Sequence, residues 1–492
     1  MSTATIHSPE GANGPTNGIP LVERIDPAPD AVGVFRCLSR LPHAIFLDSA
    51  MRDGRLGRYS FVAADPVEWV EVPVGARLSP TGWMWPALDW RAAIRHDLPP
   101  FQGGWAGLFS YELGRIVRGV SAAPVDEFQI PALAIGLYDV VVAFDHQKQA
   151  AWIISQGLPE KDGSPRRDRA AARLASFRAI LDNRANAHGK TEQTGGNSKQ
   201  QWHRSVSSEE LSHQTPIPTL DGLRSNFSPD AYLNAVRRTI EYIRAGDVFQ
   251  VNLAQRLLAP ANGSSVELYC RLRERNPAPF AAYFDIGDWQ ICSASPERFM
   301  QVHDRRVETR PIKGTRPRGD SEPVDRRTAE ELLNSAKDRA ENVMIVDLLR
   351  NDLSQTCRPD SVRVSQLCGL ESFASVHHLV SVIEGQLRDG QTPWHLLNTC
   401  LPGGSVTGAP KLRAMEIISE LEPNARGAYC GALGYIGIDG RMDTSVLIRT
   451  ITAGRGWWQL PVGGGIVSQS NADDEYAETW YKAKAMLAAM LP

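Results

Sequence analysis

The stretch YCGALGYIGIDGRMDTSVLIRTITA, residues 429–453, predicts a β-hairpin and decides the fold class. Two runs rich in aliphatic and β-branched residues, 429–438 and 445–453, flank the dipeptide Asp439-Gly440. A short glycine-containing turn between two such runs is typical of a hairpin. From residue 227 onward, strand-like and helical patterns alternate, but the strands are not each followed by a crossover helix. This arrangement favours antiparallel sheets and therefore an α+β fold.

Composition divides the chain into four regions. Residues 1–20 predict a disordered tail, and residues 21–182 alternate short strand-like runs with Pro/Gly turns before a helical stretch. Residues 183–226 contain few apolar side chains and many Gly, Ser, Gln and Asn, so they cannot bury enough surface to offset their ordering entropy. We therefore expect a flexible insertion there. Order returns in residues 227–492, where Ser228 is a good helix N-cap.

The overall composition excludes several classes of protein. The 492 residues include 53 Lys+Arg and 56 Asp+Glu, a net charge of −3, which provides no general field for nucleic acid or an anionic membrane. No uncharged apolar run reaches the ~18 residues that a membrane-spanning helix needs. Seven cysteines without a C-x-x-C pair argue against a zinc ribbon or a disulfide scaffold. We expect a cytoplasmic protein with neither nucleic acid nor membrane as a partner.

Two residues on neighbouring segments have the chemistry of a catalytic pair. Lys313 lies between Ile312 and Gly314, where partial burial would lower its pKa and make its amine a nucleophile. Glu297 lies sixteen residues upstream, a hairpin-like separation, so its carboxyl could act beside that lysine as general acid or base. Taken alone, a surface lysine and a turn carboxylate explain the same residues.

Two predicted helices each present a spaced pair of carboxylates. Asp338 and Glu341 lie three residues apart in a helix expected over about 328–349, and Glu475 and Glu478 repeat the spacing in the last helix. Residues three apart share a helix face, and oxygen ligands are those that Mg²⁺ takes. Solvated helix faces commonly carry the same pattern, so the residues alone leave both interpretations open.

Two glycine-rich segments could contact a ligand. GGSVTGAPK, residues 403–411, precedes a helical pattern, so its amides and hydroxyls would point at an anion from a helix N-terminus. In VGGGI, residues 462–466, the absent side chains would let a ligand approach the backbone closely. A β-bulge is the alternative explanation for the second segment.

Together and in this order, these segments resemble the chorismate-utilising enzymes, a family that includes anthranilate, isochorismate and aminodeoxychorismate synthases. The resemblance covers about 228–490. It rests on SPERF (295–299), PIKGT (311–315), DRAENVMIVDLLRNDL (338–353), VHHLVS (376–381), PGGSVTGAPK (402–411), YCGALGY (429–435), and GGGIV (463–467) with its following Glu-x-x-Glu. It implies a four-layer α/β/β/α sandwich of two orthogonally packed antiparallel sheets, with the site in the cleft between them.

The resemblance also implies a role for each matching residue. Glu341 and Glu478 would bind Mg²⁺ directly, whereas Asp338 and Glu475 would bind it through water. Lys313 would be the nucleophile and Glu297 the general acid/base. The expected contacts of chorismate are Gly314, Thr315 and Ser405 at the ring, His378 at the leaving hydroxyl, and Tyr429, Arg449, Gly463, Gly464 and Gly465 at the enolpyruvyl carboxylate.

One position separates two branches of the family. Anthranilate synthases resemble PIAGT, whereas the PIKGT of this chain resembles component I of the aminodeoxychorismate synthases, in which the lysine attacks ring carbon 2. Such an enzyme converts chorismate and ammonia to 4-amino-4-deoxychorismate for 4-aminobenzoate and folate biosynthesis. The alternative is an anthranilate synthase-like lyase, in which Lys313 would be tolerated rather than used.

The cysteines and the resemblance imply two further expectations. No cysteine lies in a Gly-x-Cys-x-Gly elbow, so a separate glutamine amidotransferase subunit would supply ammonia. Residues 21–182 resemble the more variable part of the family that binds tryptophan in relatives. Ser49, Pro277 and Phe280 occupy matching places and form a candidate tryptophan pocket.

Overall fold

The computed structural model of the chain describes residues 19–51, 56–76, 86, 94–187, 205–218, 221–373 and 376–490. Residues 1–18 of the predicted tail and residues 188–204 of the predicted insertion lie outside these ranges. None of the described helices combines the length and the low charge that crossing a membrane requires.

The described chain alternates between strands and helices. The strands, in chain order, are β1 (Leu21–Ile25), β2 (Ile45–Asp48), β3 (Tyr59–Ala63), β4 (Glu68–Val72), β5 (Gly104–Phe109), β6 (Leu133–Tyr138), β7 (Val140–Asp145), β8 (Ala150–Ser155), β9 (Thr215–Pro216), β10 (Arg224–Ser225), β11 (Gln250–Pro260), β12 (Phe280–Asp285), β13 (Trp289–Ser295), β14 (Arg298–His303), β15 (Arg306–Thr309), β16 (Ile312–Pro317), β17 (Arg363–Ser372), β18 (Val376–Gln386), β19 (Gly408–Ala409), β20 (Ala432–Gly437), β21 (Met442–Val446), β22 (Thr450–Gly454) and β23 (Trp457–Ile466). The helices are α1 (Ala31–Leu38), α2 (Tyr111–Val117), α3 (Gly163–Ala187), α4 (Pro229–Ala245), α5 (Ser265–Arg275), α6 (Glu322–Leu333), α7 (Ala336–Ser354), α8 (Pro393–Cys400), α9 (Lys411–Leu421) and α10 (Ala472–Met490).

These strands form two antiparallel sheets. In the part of the chain that is described, the larger sheet has thirteen strands in the order β1-β8-β7-β3-β2-β12-β13-β22-β23-β11-β10-β9, with β19 paired to β11. The smaller sheet has ten strands in the order β16-β18-β15-β14-β21-β20-β5-β6-β4, with β17 paired to β18. Neighbouring strands pair antiparallel throughout.

Apolar side chains fill the space between the sheets and the layers outside them. Leu108 of the smaller sheet belongs to one buried cluster with Leu258, Phe284 and Ile291 of the larger sheet. Helices α5 and α10 cover the opposite face of the larger sheet, and α7 packs on β17 and β18 of the smaller one. Burial of both sheet faces follows from their largely apolar strands. The predicted α+β fold, an α/β/β/α sandwich, is confirmed.

The two halves of the sequence share both sheets. Strand β2 pairs with β12 in the larger sheet, and β5 pairs with β20 in the smaller one. Residues 21–182 and 227–492 are therefore regions of sequence that contribute strands to a common core. Their exact boundaries stay predictions.

The predicted insertion spans residues 183–226, and its C-terminal part packs against the larger sheet. Val206 is buried, and its carbonyl accepts a hydrogen bond of 2.8 Å from the Trp457 indole N–H. Strand β10 pairs with β11, and α3 continues to Ala187. The few apolar residues of this stretch are concentrated where it meets the fold, which its average composition does not reveal.

Helix ends follow local sequence signals. Ser228 caps α4, its hydroxyl accepting from the Ala231 amide at 3.1 Å, as predicted. The single helix expected over 328–349 is instead α6 and α7, because Ser335 caps a new helix by accepting from the Asp338 amide at 3.3 Å. Asp338 consequently lies in the first turn of α7, where the helix dipole stabilises a carboxylate.

The predicted hairpin is correct in its first strand and turn but not in its second strand. Strands β20 and β21 pair across the Asp439-Gly440 turn. The run 445–453 is divided, because β22 pairs with β13 in the larger sheet. Between β21 and β22 the chain crosses from one sheet to the other, and Arg449 there adopts a left-handed conformation, with φ of 53°.

A second crossing lies beside the first. Glu297 connects β13 of the larger sheet to β14 of the smaller sheet. Backbone bonds join the crossings, since the Ala294 amide donates to the Arg449 carbonyl at 3.0 Å and the Val446 amide to the Glu297 carbonyl at 3.1 Å. The Ser295 hydroxyl donates to the Val446 carbonyl at 2.6 Å. The fold therefore holds the crossing that carries Glu297 beside the crossing that carries Arg449, at the meeting of the sheets.

Candidate active site

Three residues predicted from separate motifs come together in a hydrogen-bonded group. Lys313, in β16, donates from Nζ to the backbone carbonyl of Ser405 at 3.2 Å. The Ser405 hydroxyl donates to Oε1 of Glu297 at 2.9 Å. We call Lys313, Ser405 and Glu297 the nucleophile cluster. Its geometry joins an amine, a hydroxyl and a carboxyl that lie far apart in sequence.

Glu297 has the protonation behaviour of a general acid/base. Its residue surface is only 6% exposed, and burial raises the pKa of its carboxyl to about 7. The hydroxyl of Ser405 and the ammonium of Lys313 oppose that rise. A carboxyl whose pKa lies near neutrality can both give and take a proton at pH 7.

Two opposing effects act on the pKa of Lys313. Burial lowers the pKa of its ammonium, while the carboxylates of Glu341 and Glu297 act to raise it. The burial effect prevails, so the amine is more readily deprotonated than that of an exposed lysine. This is the condition that a nucleophilic lysine requires.

His378 lies on β18, the neighbour of the strand that carries Lys313. Thr315 and His378 are register partners, and the Thr315 hydroxyl lies 2.8 Å from Nδ1 of His378. Burial, reinforced by Arg449, lowers the pKa of His378 to about 4. The imidazole is therefore neutral at pH 7, and it can donate or accept a hydrogen bond beside a departing hydroxyl.

Hydrogen bonds from two buried cationic side chains hold the loop that carries Ser405. Lys411, at the start of α9, donates from Nζ to Oδ2 of Asp352 at 2.6 Å and to the Cys400 carbonyl at 2.9 Å. Arg426 donates to the Val406 carbonyl at 3.0 Å. Lys411 and Asp352 are both buried, so removing either partner would cost about 3–5 kcal/mol of stability. The anchoring fixes the loop against α7.

Gly314 brings strand β16 close to Asp338, a predicted metal ligand. Its φ of 79° is unfavourable for other residues, and a Cβ there would lie 2.9 Å from Cγ of Asp338. Asp338 accepts a hydrogen bond of 3.1 Å from Arg316. The close approach explains why this position needs glycine.

The second carboxylate pair, Glu475 and Glu478, lies beside β23. We call the part of β23 that contains Gly463, Gly464 and Gly465 the glycine strand. A Cβ on Gly464 would lie 3.3 Å from Oε2 of Glu475 and 3.7 Å from Oε1 of Glu478. Glu475 accepts a hydrogen bond of 2.6 Å from Ser470. Glu478 pairs with Lys482 at 2.7 Å, and Lys482 also donates to the Gly463 carbonyl at 2.8 Å.

The four carboxylates form a second group, the carboxylate cluster, defined as Asp338, Glu341, Glu475 and Glu478. Burial raises the pKa of Glu341, and the carboxylates of Asp338 and Glu475 add to that rise. Burial and the nearby Glu478 likewise raise the pKa of Glu475. The influence of Glu475 on Glu341 links the carboxylate pair on α10 to the pair on α7.

This donor set has the chemistry of a Mg²⁺ site, since it supplies oxygen ligands alone. Among the described residues, however, no three His, Cys, Asp or Glu side chains are arranged to hold a metal ion together. Ammonium groups lie among the carboxylates instead: Lys482 contacts Glu478, and Lys337 lies 3.8 Å from Glu475. The residues fit the ion chemically, and binding it would require them to converge.

The residues predicted for the enolpyruvyl carboxylate are also neighbours. Burial lowers the pKa of Arg449, and the hydroxyls of Tyr481 and of the buried Tyr429 oppose this change. Arg449 donates to the Lys482 carbonyl at 3.4 Å, and Lys482 contacts Gly463. The chain thus gathers the guanidinium, the phenol and the glycine strand on one side of the site.

The candidate tryptophan residues are only partly together. Ser49 and Phe280 line a cavity of about 710 Å³ between the sheets. Among the described residues that line it, Pro279 is present and Pro277 is not. Arg298 lines the same cavity, one residue after Glu297. The cavity therefore borders the segment that carries Glu297 of the nucleophile cluster.

Lys482 is the site residue that the sequence reasoning missed. It lies four residues after Glu478 on α10, and it touches both Glu478 and the glycine strand. An i,i+4 Glu–Lys pair is the signal that could have identified it. Such pairs are frequent on solvated helix faces, so spacing alone does not select this one.

Comparisons with known proteins agree with this geometry. A family profile described as chorismate binding enzyme matches residues 50–488. The aminodeoxychorismate synthase component 1 of Salmonella typhimurium is 38% identical over 474 residues, covering 93% of this chain and 96% of the relative. The anthranilate synthase component 1 of Thermus thermophilus is 41% identical over 397 residues, covering 80% of this chain and 79% of the relative.

Solved structures give the same result for the fold. Anthranilate synthase component I from Streptococcus pneumoniae superposes with a TM-score of 0.71 at 30% identity, covering 89% of this chain and 93% of that one. The menaquinone-specific isochorismate synthase from Escherichia coli has a TM-score of 0.67 at 17% identity, covering 96% and 95%. The profile spans most of the sequence, and the motifs that meet in the cleft lie within it. The chain belongs to the family of chorismate binding enzymes.

Proposed function

We propose that the chain is component 1 of an aminodeoxychorismate synthase, which converts chorismate and ammonia to 4-amino-4-deoxychorismate. The observation that carries the proposal is Lys313, whose pKa is lowered by burial and whose amine is held beside Glu297 through Ser405. Relatives with that name align over most of this chain, including those of Salmonella typhimurium and Escherichia coli.

In the first step, the neutral amine of Lys313 attacks ring carbon 2. The Nζ–C2 bond forms while the ring double bonds shift and the bond from carbon 4 to its hydroxyl breaks. Glu297, with a pKa of about 7, supplies the proton that lets the hydroxyl leave as water. Neutral His378 orients that hydroxyl by a hydrogen bond.

In the second step, ammonia attacks carbon 4. The new C4–N bond forms while the double bonds shift back and the Nζ–C2 bond breaks, which restores the lysine amine. Glu297 takes the proton that the bound ammonia loses and is ready for another turnover. Chorismate and ammonia thus give 4-amino-4-deoxychorismate and one water.

Chorismate binding divides between two groups of residues. The carboxylate cluster would hold Mg²⁺, through Glu341 and Glu478 directly and through Asp338 and Glu475 by way of water. When bound, the ion would neutralise the ring carboxylate and act as a Lewis acid toward the departing hydroxyl. The enolpyruvyl carboxylate would be held by Arg449, Tyr429 and the amides of Gly463, Gly464 and Gly465, with Gly314, Thr315 and Ser405 at the ring.

The partner and the pathway follow from the same reaction. We assign the ammonia supply to a separate glutamine amidotransferase subunit, because the name component 1 of the relatives implies a second component. We place the enzyme in the cytoplasm and in 4-aminobenzoate and folate biosynthesis. All seven cysteines are free thiols, which suits a reducing compartment.

An anthranilate synthase-like lyase is the second candidate, because the Thermus thermophilus relative is 41% identical. Such an enzyme would direct ammonia to carbon 2 and leave Lys313 without a bond to substrate. The contact of Lys313 with Ser405 and its lowered pKa favour the first candidate.

The cavity beside Arg298 is proposed as a tryptophan pocket. Ser49 and Phe280 supply a hydroxyl and an aromatic ring to its wall, and Pro279 supplies the apolar contact first assigned to Pro277. An indole fits within its volume of about 710 Å³. Titration with tryptophan, followed by the melting temperature, tests this assignment.

One incubation tests the main proposal. The purified chain is mixed with chorismate, Mg²⁺ and ammonium, and the product is identified by mass and chromatography against both candidate products. We expect 4-amino-4-deoxychorismate, and a covalent adduct on Lys313 in the intact mass of the trapped protein. Glutamine in place of ammonium should support little turnover until an amidotransferase subunit is added. Anthranilate as the main product would refute the assignment.

A further inference from the structure

We propose that Lys482 is a built-in competitor of the metal ion: its ammonium occupies Glu478, and Mg²⁺ binds only when Lys482 moves away. The inference rests on the proposed function, because it concerns the metal site assigned there. It adds a role for a residue that neither the sequence motifs nor that assignment includes.

The contacts of Lys482 are those of a bound cation. Its Nζ lies 2.7 Å from Oε1 of Glu478 and 2.8 Å from the Gly463 carbonyl. A Cβ on Gly464 would lie 3.5 Å from the same Nζ. Two oxygen ligands and a position against the glycine strand place a positive charge at the carboxylate cluster.

Lys482 and Mg²⁺ cannot both interact fully with Glu478, for electrostatic reasons. A carboxylate oxygen that pairs with an ammonium at 2.7 Å cannot also give its full interaction to a divalent cation. The two cations would also repel each other, since like charges a few ångströms apart still interact in a partly exposed site. Lys482 therefore has to leave Glu478 as the ion enters.

The surroundings of Lys482 permit such a movement. Its side chain is 27% exposed, and an unbranched four-carbon stem can rotate without disturbing the core. Lys337 contacts Glu475 more loosely, at 3.8 Å, and its side chain is 53% exposed. Among the lysines of the described chain, Lys482 thus makes the closer contact with this cluster.

The substitution Lys482→Met tests the competition directly. Mg²⁺ alone is titrated into the chain by calorimetry, with no chorismate present, so the readout is metal affinity and not turnover. We expect Lys482→Met to bind Mg²⁺ about tenfold more tightly than the unmodified chain, because both the pairing and the repulsion are removed.

Lys484→Met is the matched control. Lys484 lies two residues along α10, where its side chain is exposed, so the variant removes the same charge from the same helix. We expect a change of less than about twofold, since a solvated charge at longer range is screened. Equal Mg²⁺ affinity in Lys482→Met and the unmodified chain would overturn the proposal. Absence of Mg²⁺ binding to both the unmodified chain and Lys482→Met would instead overturn the metal site itself.

A second measurement needs no variant. Lysines of the unmodified chain are labelled with an amine-acylating reagent, and the modified positions are quantified by peptide mass. Release from Glu478 should make Lys482 react several-fold faster when Mg²⁺ is present, while Lys484 keeps its rate. A rate for Lys482 that is unchanged or slower at saturating Mg²⁺ would contradict the displacement.

Discussion

The nucleophile cluster and the carboxylate cluster are built in opposite ways. Lys313 and Glu297 are carried by a strand and by a crossing between sheets, and Ser405 joins them with bonds of 3.2 and 2.9 Å. The carboxylates lie on α7 and α10, and lysine ammonium groups lie among them. The first group has its partners within the fold, whereas the second is balanced by lysine side chains that are partly exposed to solvent.

The difference teaches how one site combines precision with exchange. A nucleophile must keep a fixed position relative to its acid, because a small displacement lowers the rate of a bond-forming step. A site for a metal and an anionic substrate must instead be able to release its own counter-charges. Fixed backbone and an anchored loop suit the first task, and long lysine side chains suit the second.

The largest effect is expected from breaking the carboxylate cluster. Glu341→Ala and Glu478→Ala should each abolish turnover while the fold stays intact, because a ligand is lost from a helix face and no core is emptied. Activity with Mg²⁺ and the melting temperature are the measurements. Glu416→Ala, on the surface of α9, is the control. Full activity in both variants, or activity that a chelator does not affect, would contradict the metal assignment.

Breaking the nucleophile cluster at Lys313 should remove the covalent step. Lys313→Ala is expected to lower formation of 4-amino-4-deoxychorismate by at least roughly a hundredfold, the scale of a lost chemical group in catalysis. It also recreates PIAGT, so small amounts of 2-substituted products are expected. Lys313→Arg keeps the charge without a nucleophile and should be equally impaired. Wild-type rates in Lys313→Ala, measured by product mass, would show that the lysine is not the nucleophile.

Replacing the carboxyl of Glu297 by an amide of the same shape should lower the rate by no more than the loss of Lys313 does. Glu297→Gln preserves a hydrogen bond with Ser405 but carries no transferable proton, so kcat should fall by roughly a hundredfold with little change in KM. Glu308→Gln, on β15, is the matched control and should retain activity. Equal kcat values for the two variants would remove Glu297 from the proton transfers.

The smallest effect is expected in the pH dependence of the rate, and it tests how Ser405 acts within the nucleophile cluster. Burial raises the pKa of Glu297 to about 7, and the hydroxyl of Ser405 lowers it from a still higher value by stabilising the charged form. Ser405→Ala should therefore raise this pKa, and the limb of the pH–rate profile near pH 7 should move upward by about one unit. Ser354→Ala, on the exposed face of α7, should leave the profile unchanged. A downward shift would have the wrong sign for this hydrogen bond.

The sequence predicted what local pattern controls. The fold class, the cap at Ser228 and the helix-borne carboxylate pairs follow from residue spacing, and the structure contains all of them. The separation of sixteen residues suggested that Glu297 lies beside Lys313, whereas the presence of Ser405 with them was expected only from the family resemblance. Spacing could not provide it, because the contact depends on a loop that is 92 residues from Lys313.

The features that escaped prediction depend on tertiary context. The run 445–453 has uniform strand character, yet it is divided between the two sheets. Its first part pairs with β14 and its second part with β13, and the chain crosses between the sheets near Arg449. Ser335 divides a continuous helical pattern by capping a new helix. Lys482 matters through the backbone of Gly463, a contact between distant segments that no local periodicity encodes.

The sharing of both sheets by the two halves of the sequence determines how the molecule unfolds. Strand β12 lies between β2 and β13, and β20 lies between β5 and β21, so each sheet has a seam where the halves hydrogen-bond. A fragment that starts at residue 227 would turn both seams into long unpaired edges, and such edges promote aggregation. We therefore expect the halves to melt in a single cooperative transition and the fragment to be insoluble, although it contains every proposed catalytic residue.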